Sequence, residues 1–137
     1  NNEYDPFLVE EFCSFKNPDL QSSYTKITED FSNLKCIEVT DETEFEINKW
    51  GIAEPISGNS IAINEIEMLF IPLLCFDKEG FRVGYGKGFY DKLLDNASSK
   101  IIKVGFSFFE PVARIENTDE YDIPLNYCIT PARFYSF

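Results

Sequence analysis

The chain has 137 residues, 44% of them hydrophobic and 26% charged, with a net charge of −12. It is long enough for one domain with its own core and too hydrophobic to be disordered. Its acidity argues against nucleic acid or an anionic membrane as a partner. The charge is uneven: residues 1–67 hold four Lys/Arg against fifteen Asp/Glu, and residues 68–137 hold eight against nine. Within 78–92 the sign reverses, because Lys78, Arg82, Lys87 and Lys92 outnumber Glu79 and Asp91. That local reversal suits a small polyanion such as a nucleotide, and equally an ordinary solvated surface.

Cys13, Cys36, Cys75 and Cys128 are widely spaced and form no CxxC pair, which fits free thiols better than zinc ligation. With no disulfide framework, the expected compartment is the cytoplasm. The longest apolar run, Met68 to Phe76, is too short for a bilayer-spanning helix, and the polar start Asn1-Asn2-Glu3-Tyr4-Asp5 is no signal peptide. The chain does not open on Met, so an N-terminally incomplete single domain over 1–137 is expected.

In chain order, Asp5-Pro6 reads as an N-cap followed by proline at N1, with Leu8, Phe12 and Phe15 as a helical stripe ending near Phe15. A short strand is expected over Tyr24–Ile27. Ile37 and Val39, then Phe45 and Ile47, alternate with polar neighbours around Thr40-Asp41-Glu42-Thr43, which predicts a half-buried hairpin. Residues 50–59 read as loop. Met68–Phe76 is apolar at both parities and reads as a central strand covered on both faces, with Pro72 marking a bulge. Asp77-Lys78-Glu79-Gly80 is a turn. A helix from Gly88 to about Asn96, a strand over Ile101–Phe106, a last core strand over Asn126–Thr130 and a tail from Arg133 complete the reading. Strands interleaved with helices predict an open α/β sheet.

The run Arg82-Val83-Gly84-Tyr85-Gly86-Lys87-Gly88-Phe89-Tyr90-Asp91 carries the chemistry. Its three glycines allow backbone N–H groups to come close to a ligand and to adopt φ > 0, and its two cations favour an anion. Two familiar phosphate loops are excluded by spacing. A P-loop needs glycine where Phe81 stands and Ser/Thr where Gly88 stands, and a dinucleotide fingerprint needs a third glycine at a different interval. Taken alone, the run is also compatible with a glycine-rich surface turn bearing two solvated cations.

The longer stretch from Phe76 to Asp91 closely resembles the signature of the 5-formyltetrahydrofolate cyclo-ligase family (methenyltetrahydrofolate synthetase). Asn2-Glu3-Tyr4-Asp5, Trp50-Gly51-Ile52-Ala53-Glu54-Pro55, and Asp122-Ile123-Pro124-Leu125 followed by Ile129-Thr130 resemble it in the same order. The resemblance implies an open, mixed, mostly parallel sheet with helices on both faces, a three-layer α/β fold similar to the NagB/RpiA/CoA-transferase-like one. It implies cyclisation of 5-formyltetrahydrofolate to 5,10-methenyltetrahydrofolate, with ATP as co-substrate, Mg²⁺ as cofactor, and ADP and phosphate released. In that chemistry the formyl oxygen attacks the γ-phosphate and N10 then displaces phosphate from the activated carbon. The protein's task is positioning and charge neutralisation.

The same resemblance distributes roles. Lys87 and Arg82 are the catalytic cations. Arg82, Val83, Gly84, Tyr85, Gly86, Lys87, Gly88, Phe89 and Tyr90 are expected to bind ATP. Glu3, Trp50, Glu54, Tyr85, Gly86, Lys87, Gly88 and Phe89 are expected to bind folate. Tyr85 stands where some relatives have Arg. Asp91 and Asp122 are the metal candidates, although a first-turn acid favoured by the helix dipole and a solvated acidic loop explain them locally. A lone Trp is more often buried core, and Glu3 is also readable as a frayed terminal acid. Lys26 is a weaker candidate for a glutamate tail or phosphate. The family's N-terminal basic helix, which supplies Lys and Arg to the ATP phosphates, and its first strand are not found in this sequence. Partners are therefore expected to be small molecules, with a monomer expected and a dimer as the alternative. Two other readings stand beside the enzyme: a folate- or nucleotide-binding module without turnover, and a structural domain that keeps the glycine loop only as a fold element.

Overall fold

The computed structural model describes residues 4–137. Asp5 caps the first helix: its carboxylate accepts the Phe7 N–H at 2.9 Å, and Pro6 fills N1, where a missing N–H removes no helix bond. Helix α1 (Pro6–Lys16) stops at Asn17, whose N–H donates to the Cys13 carbonyl at 2.9 Å. Phe7 packs on Tyr24 and Phe45, while Leu8, Phe12 and Phe15 stay exposed.

Strand β1 (Ser22–Ile27) pairs antiparallel with β2 (Leu34–Val39), from Ser22↔Val39 to Ile27↔Leu34. The hairpin expected between Ile37/Val39 and Phe45/Ile47 does not form. Thr40 and Thr43 close a local turn that leads the chain away, the Thr40 N–H donating to Thr43 Oγ1 at 2.8 Å. Strand β3 (Phe45–Ile47) instead pairs with β4 (Ala53–Pro55), inside the segment read as loop. The reason is the turn chemistry at Asn48, whose Oδ1 accepts the N–H groups of Trp50 at 2.9 Å and Ile52 at 3.0 Å, with Gly51 at φ 79°. Strand β5 (Ser60–Ile61) completes the first sheet on the far side of β2.

The apolar run from Met68 is divided. Strand β6 (Met68–Ile71) ends at Pro72, which has no N–H for the ladder. Strand β7 (Cys75–Phe76) then turns back against β8 (Arg82–Val83). Helix α2 (Phe89–Leu94) follows, ending two residues before the expected limit. Strand β9 (Ile102–Phe106) runs parallel to β6, and β10 (Tyr127–Ile129) runs parallel to β9. The expected tail is a strand, β11 (Phe134–Ser136), antiparallel to β10, because Thr130 closes a turn onto Arg133 through bonds of 2.8 and 3.0 Å. In the resulting order β11-β10-β9-β6, strand β6 lies at an edge among the described residues, not in the centre.

The architecture is thus α/β with mixed sheets and few helices, two α-helices among the described residues. Ile71, Phe76 and Cys128 are fully buried at its core, with Leu69, Leu73, Leu94, Ile101 and Leu125 around them. Gly105 is required there: a Cβ would stand 2.5 Å from Leu73 Cδ2 and 2.8 Å from Leu125 Cδ1. No helix among the described residues is long and apolar enough to cross a membrane.

Candidate functional site

The site is built outward from Asp77, which is fully buried at the end of β7. One carboxylate oxygen, Oδ1, accepts the N–H groups of Glu79 at 2.9 Å and Phe81 at 3.0 Å, which fixes the turn into β8. The other, Oδ2, accepts the Ile115 N–H at 3.0 Å. One side chain therefore anchors both the arm that carries Arg82 and the arm that continues to Asp122. A buried carboxylate is tolerated because each oxygen meets backbone donors. Sequence reading placed Asp77 only in a turn; the Asp-x-x-Gly spacing was the available signal.

Arg82 then closes the two arms on each other. Its Nη1 donates to the Ile123 carbonyl at 2.6 Å and its Nη2 to Asp91 Oδ1 at 2.9 Å. The Ile123 N–H reaches the same Asp91 oxygen at 3.3 Å. The Arg82 side chain is only 6% exposed, so its guanidinium is a buried clamp between β8, α2 and the 115–123 arm. That placement differs from the expected direct phosphate contact. Both contacts on Asp91 fall on Oδ1, leaving Oδ2 outside them. Burial, reinforced by the charge of Arg82, holds the Lys103 ammonium below the ordinary lysine pKa.

Between β8 and α2 the glycine loop bulges outward. Gly86 and Gly88 have φ of 89° and 62°, values that disfavour side chains with a Cβ. Gly84 has no such constraint, and a Cβ there would meet nothing within 4 Å. Lys87 reaches across from this loop: its Nζ stands 4.9 Å from the centre of the Trp50 ring and 5.8 Å from that of Phe89. Trp50 is 41% exposed, so the indole is a surface of the site and not core. Glu54 is buried, its Oε1 accepting the Ile27 N–H at 3.0 Å. Lys26 is engaged elsewhere, donating to the carbonyls of Pro55 at 2.6 Å and Ile56 at 3.1 Å.

An open cleft of about 1860 Å³ runs along this region. Trp50, Glu54, every residue from Arg82 to Asp91, and Asp122 line it. Lys26 does not line it, and Glu3 lies outside the described residues. Among the described residues, no group of three or more metal-binding side chains comes together. Of the two carboxylates expected to hold Mg²⁺, Asp91 is engaged through Oδ1 by Arg82 and the Ile123 N–H, and Asp122 accepts the Asp119 N–H on Oδ2 at 2.9 Å. The Ile123 N–H on Asp91 brings the chain next to Asp122 up to α2.

Comparisons with known proteins bear on the family. The model of the 5-formyltetrahydrofolate cyclo-ligase family matches residues 20–131. The 5-formyltetrahydrofolate cyclo-ligase of Haemophilus influenzae is 40% identical over 89 residues, 61% of this chain and 46% of that protein. The Escherichia coli protein of the same name is 29% identical over 119 residues, 83% of this chain and 65% of that one. The NMR structure of Aquifex aeolicus 5,10-methenyltetrahydrofolate synthetase is similar with a TM-score of 0.75 at 26% identity, over 96% of this chain and 63% of that one. The chain accordingly spans 46% of the length of the first relative and 65% of the second. With the family model covering most of its length and the signature residues gathered in one cleft, this chain belongs to the 5-formyltetrahydrofolate cyclo-ligase family.

Proposed function

We propose that the cleft carries out the ATP-dependent cyclisation of 5-formyltetrahydrofolate to 5,10-methenyltetrahydrofolate. The observation that carries this reading is the contact of Lys87 with Trp50, which sets the cationic glycine loop against an exposed aromatic plane inside one cleft. A nucleotide phosphate on the loop and a pterin on the indole would then lie side by side, and the cleft is large enough for both.

The residues divide the work as follows. Lys87 neutralises charge on the transferring phosphoryl group as a compact ammonium. Backbone N–H groups around Gly84, Gly86 and Gly88 approach the phosphate oxygens. Arg82 acts one step back, by fixing Asp91 and the Ile123 carbonyl. Asp91 and Asp122 would hold Mg²⁺, which would offset phosphate charge when bound. Trp50, Tyr85 and Phe89 offer aromatic surface to the pterin, and Glu54 holds β4 against β1 beside it. The formyl oxygen attacks the γ-phosphorus and ADP leaves. N10 then attacks the formyl carbon and gives up its proton to solvent, and the C–O bond breaks as phosphate departs.

The accompanying fold reading is the open, mostly parallel three-layer sheet; the three parallel strands β6, β9 and β10 support it. A second reading, a binding module without turnover, is favoured by the engagement of Arg82 with protein groups. An absorbance assay for methenyltetrahydrofolate, run with 5-formyltetrahydrofolate, ATP and Mg²⁺, decides between the two. Product formation that needs ATP supports the enzyme, whereas folate binding without product supports the module.

A further inference from the structure

Helix α2 has six residues and starts at Gly88 without a side-chain cap, so it is too short to persist without tertiary support. Its first turn carries Tyr90 and Asp91 at successive positions. Arg82 holds Asp91 from β8 at 2.9 Å. Tyr90 is held from the first sheet: its hydroxyl and that of Thr25 share a hydrogen bond at 3.3 Å, across 65 residues of sequence. Both residues line the cleft.

Thr25 stands on a fixed element. It lies within β1, paired with Cys36 of β2, which is buried in the core. Its neighbour Tyr24 belongs to the opposite face of the strand. The Tyr24 hydroxyl donates to Glu10 of α1 at 2.7 Å, and its ring packs against Phe7 and Phe45. Two residues beyond Thr25, the Ile27 N–H donates to Glu54 at 3.0 Å. Strand β1 is thus tied on both sides of Thr25, which gives the hydroxyl a defined place from which to hold Tyr90. The bond is longer than the roughly 2.7–2.8 Å usual between hydroxyls, a slack that loading of the cleft can take up.

We propose that Thr25 is a positioning residue. Through the Tyr90 hydroxyl it sets the angle of α2, and with it the glycine loop ahead of the helix and Asp91 within it. This rests on the proposed cyclising function, in which that loop receives the nucleotide phosphate. No motif marks Thr25, because threonine inside a strand is an ordinary β-former.

The experiment follows ATP-dependent formation of methenyltetrahydrofolate by absorbance, below the thermal midpoint of every variant so that unfolding does not enter. The parent protein is compared with Thr25→Val, Thr25→Ser, Tyr90→Phe, and a double variant carrying both Thr25→Val and Tyr90→Phe. Valine keeps the branched shape and loses the hydroxyl, whereas serine keeps the hydroxyl. In Thr25→Val, kcat is expected to fall about fivefold, the size of one neutral hydrogen bond. The KM for ATP is expected to stay level, because the misalignment is felt in the transition state. Thr25→Ser restores most of the rate. The double variant is no slower than Tyr90→Phe, since valine then has no bond left to break. A parent-like kcat in Thr25→Val, a serine variant as slow as the valine one, or losses that multiply in the double variant overturn the positioning role and leave the cyclising function standing. No product from the parent protein overturns both.

Discussion

Arg82 and Asp91 lie nine residues apart in sequence, and their side chains meet at 2.9 Å. The pair is mostly shielded from water, and Arg82 also holds the Ile123 carbonyl, so three segments depend on one guanidinium. Removing it leaves the Ile123 carbonyl without this donor and Asp91 Oδ1 with the Ile123 N–H at 3.3 Å. Arg82→Ala is therefore expected to destabilise the fold by about 2–4 kcal/mol and to lower turnover with it. Urea unfolding measures the first effect. An unchanged unfolding free energy would show that the guanidinium is not a structural clamp.

Lys87 is expected to behave in the opposite way. Its ammonium touches the surfaces of Trp50 and Phe89 and closes no buried pair. Lys87→Ala should lower turnover by about a hundredfold or more while the unfolding midpoint holds. The emission of Trp50 should also change, because a cation leaves its ring. Steady-state rates and a fluorescence spectrum check both halves.

Asp77→Asn separates the two arms of the site. If the amide oxygen keeps the Glu79 and Phe81 donors, the amide nitrogen faces the Ile115 N–H and that bond is lost. The expected cost is about 1–3 kcal/mol, localised to the 115–123 arm. Hydrogen exchange should accelerate at Ile115 and stay slow at Phe81. Equal acceleration at both would mean that the arms are not anchored independently.

The turn that carries Phe31 gives a pH signature. Hydrogen bonds from Ser32 and then Thr28 pull the Asp30 pKa down to about 2 from 3.8. A carboxylate depressed in the folded state contributes stability that is present above its unfolded pKa and lost as pH falls through its folded one. The difference in thermal midpoint between the parent protein and Asp30→Ala should thus be constant above about pH 5. It should then shrink between 3.8 and about 2. A difference that stays the same down to pH 2 would exclude the ionised carboxylate as the cause.

How far the sequence could be read depended on whether the cause was local. The Asp5-Pro6 cap and the φ-demanding Gly86 and Gly88 act within a few residues, and both were legible. Alternation marked Ile37, Phe45 and their neighbours as strand, but period-2 patterns do not name partners. The turn bonds of Asn48 decided the pairing instead. Pro72 was recognised as a disturbance, yet only the structure showed that it ends β6. Trp50, Glu54, the run from Arg82 to Asp91, and Asp122, which are among the residues lining the cleft, were named by motif. The clamp role of Arg82 was not, since its carbonyl partner is 41 residues away and no local pattern encodes that bond.

Gly84 differs from its two neighbours in the loop, since neither backbone angle nor protein packing demands glycine there. An added methyl would go unnoticed by the empty protein: Gly84→Ala should melt, fluoresce and exchange like its parent. Any penalty would surface only on loading with nucleotide, making this position a reporter of how closely the cargo presses against the main chain.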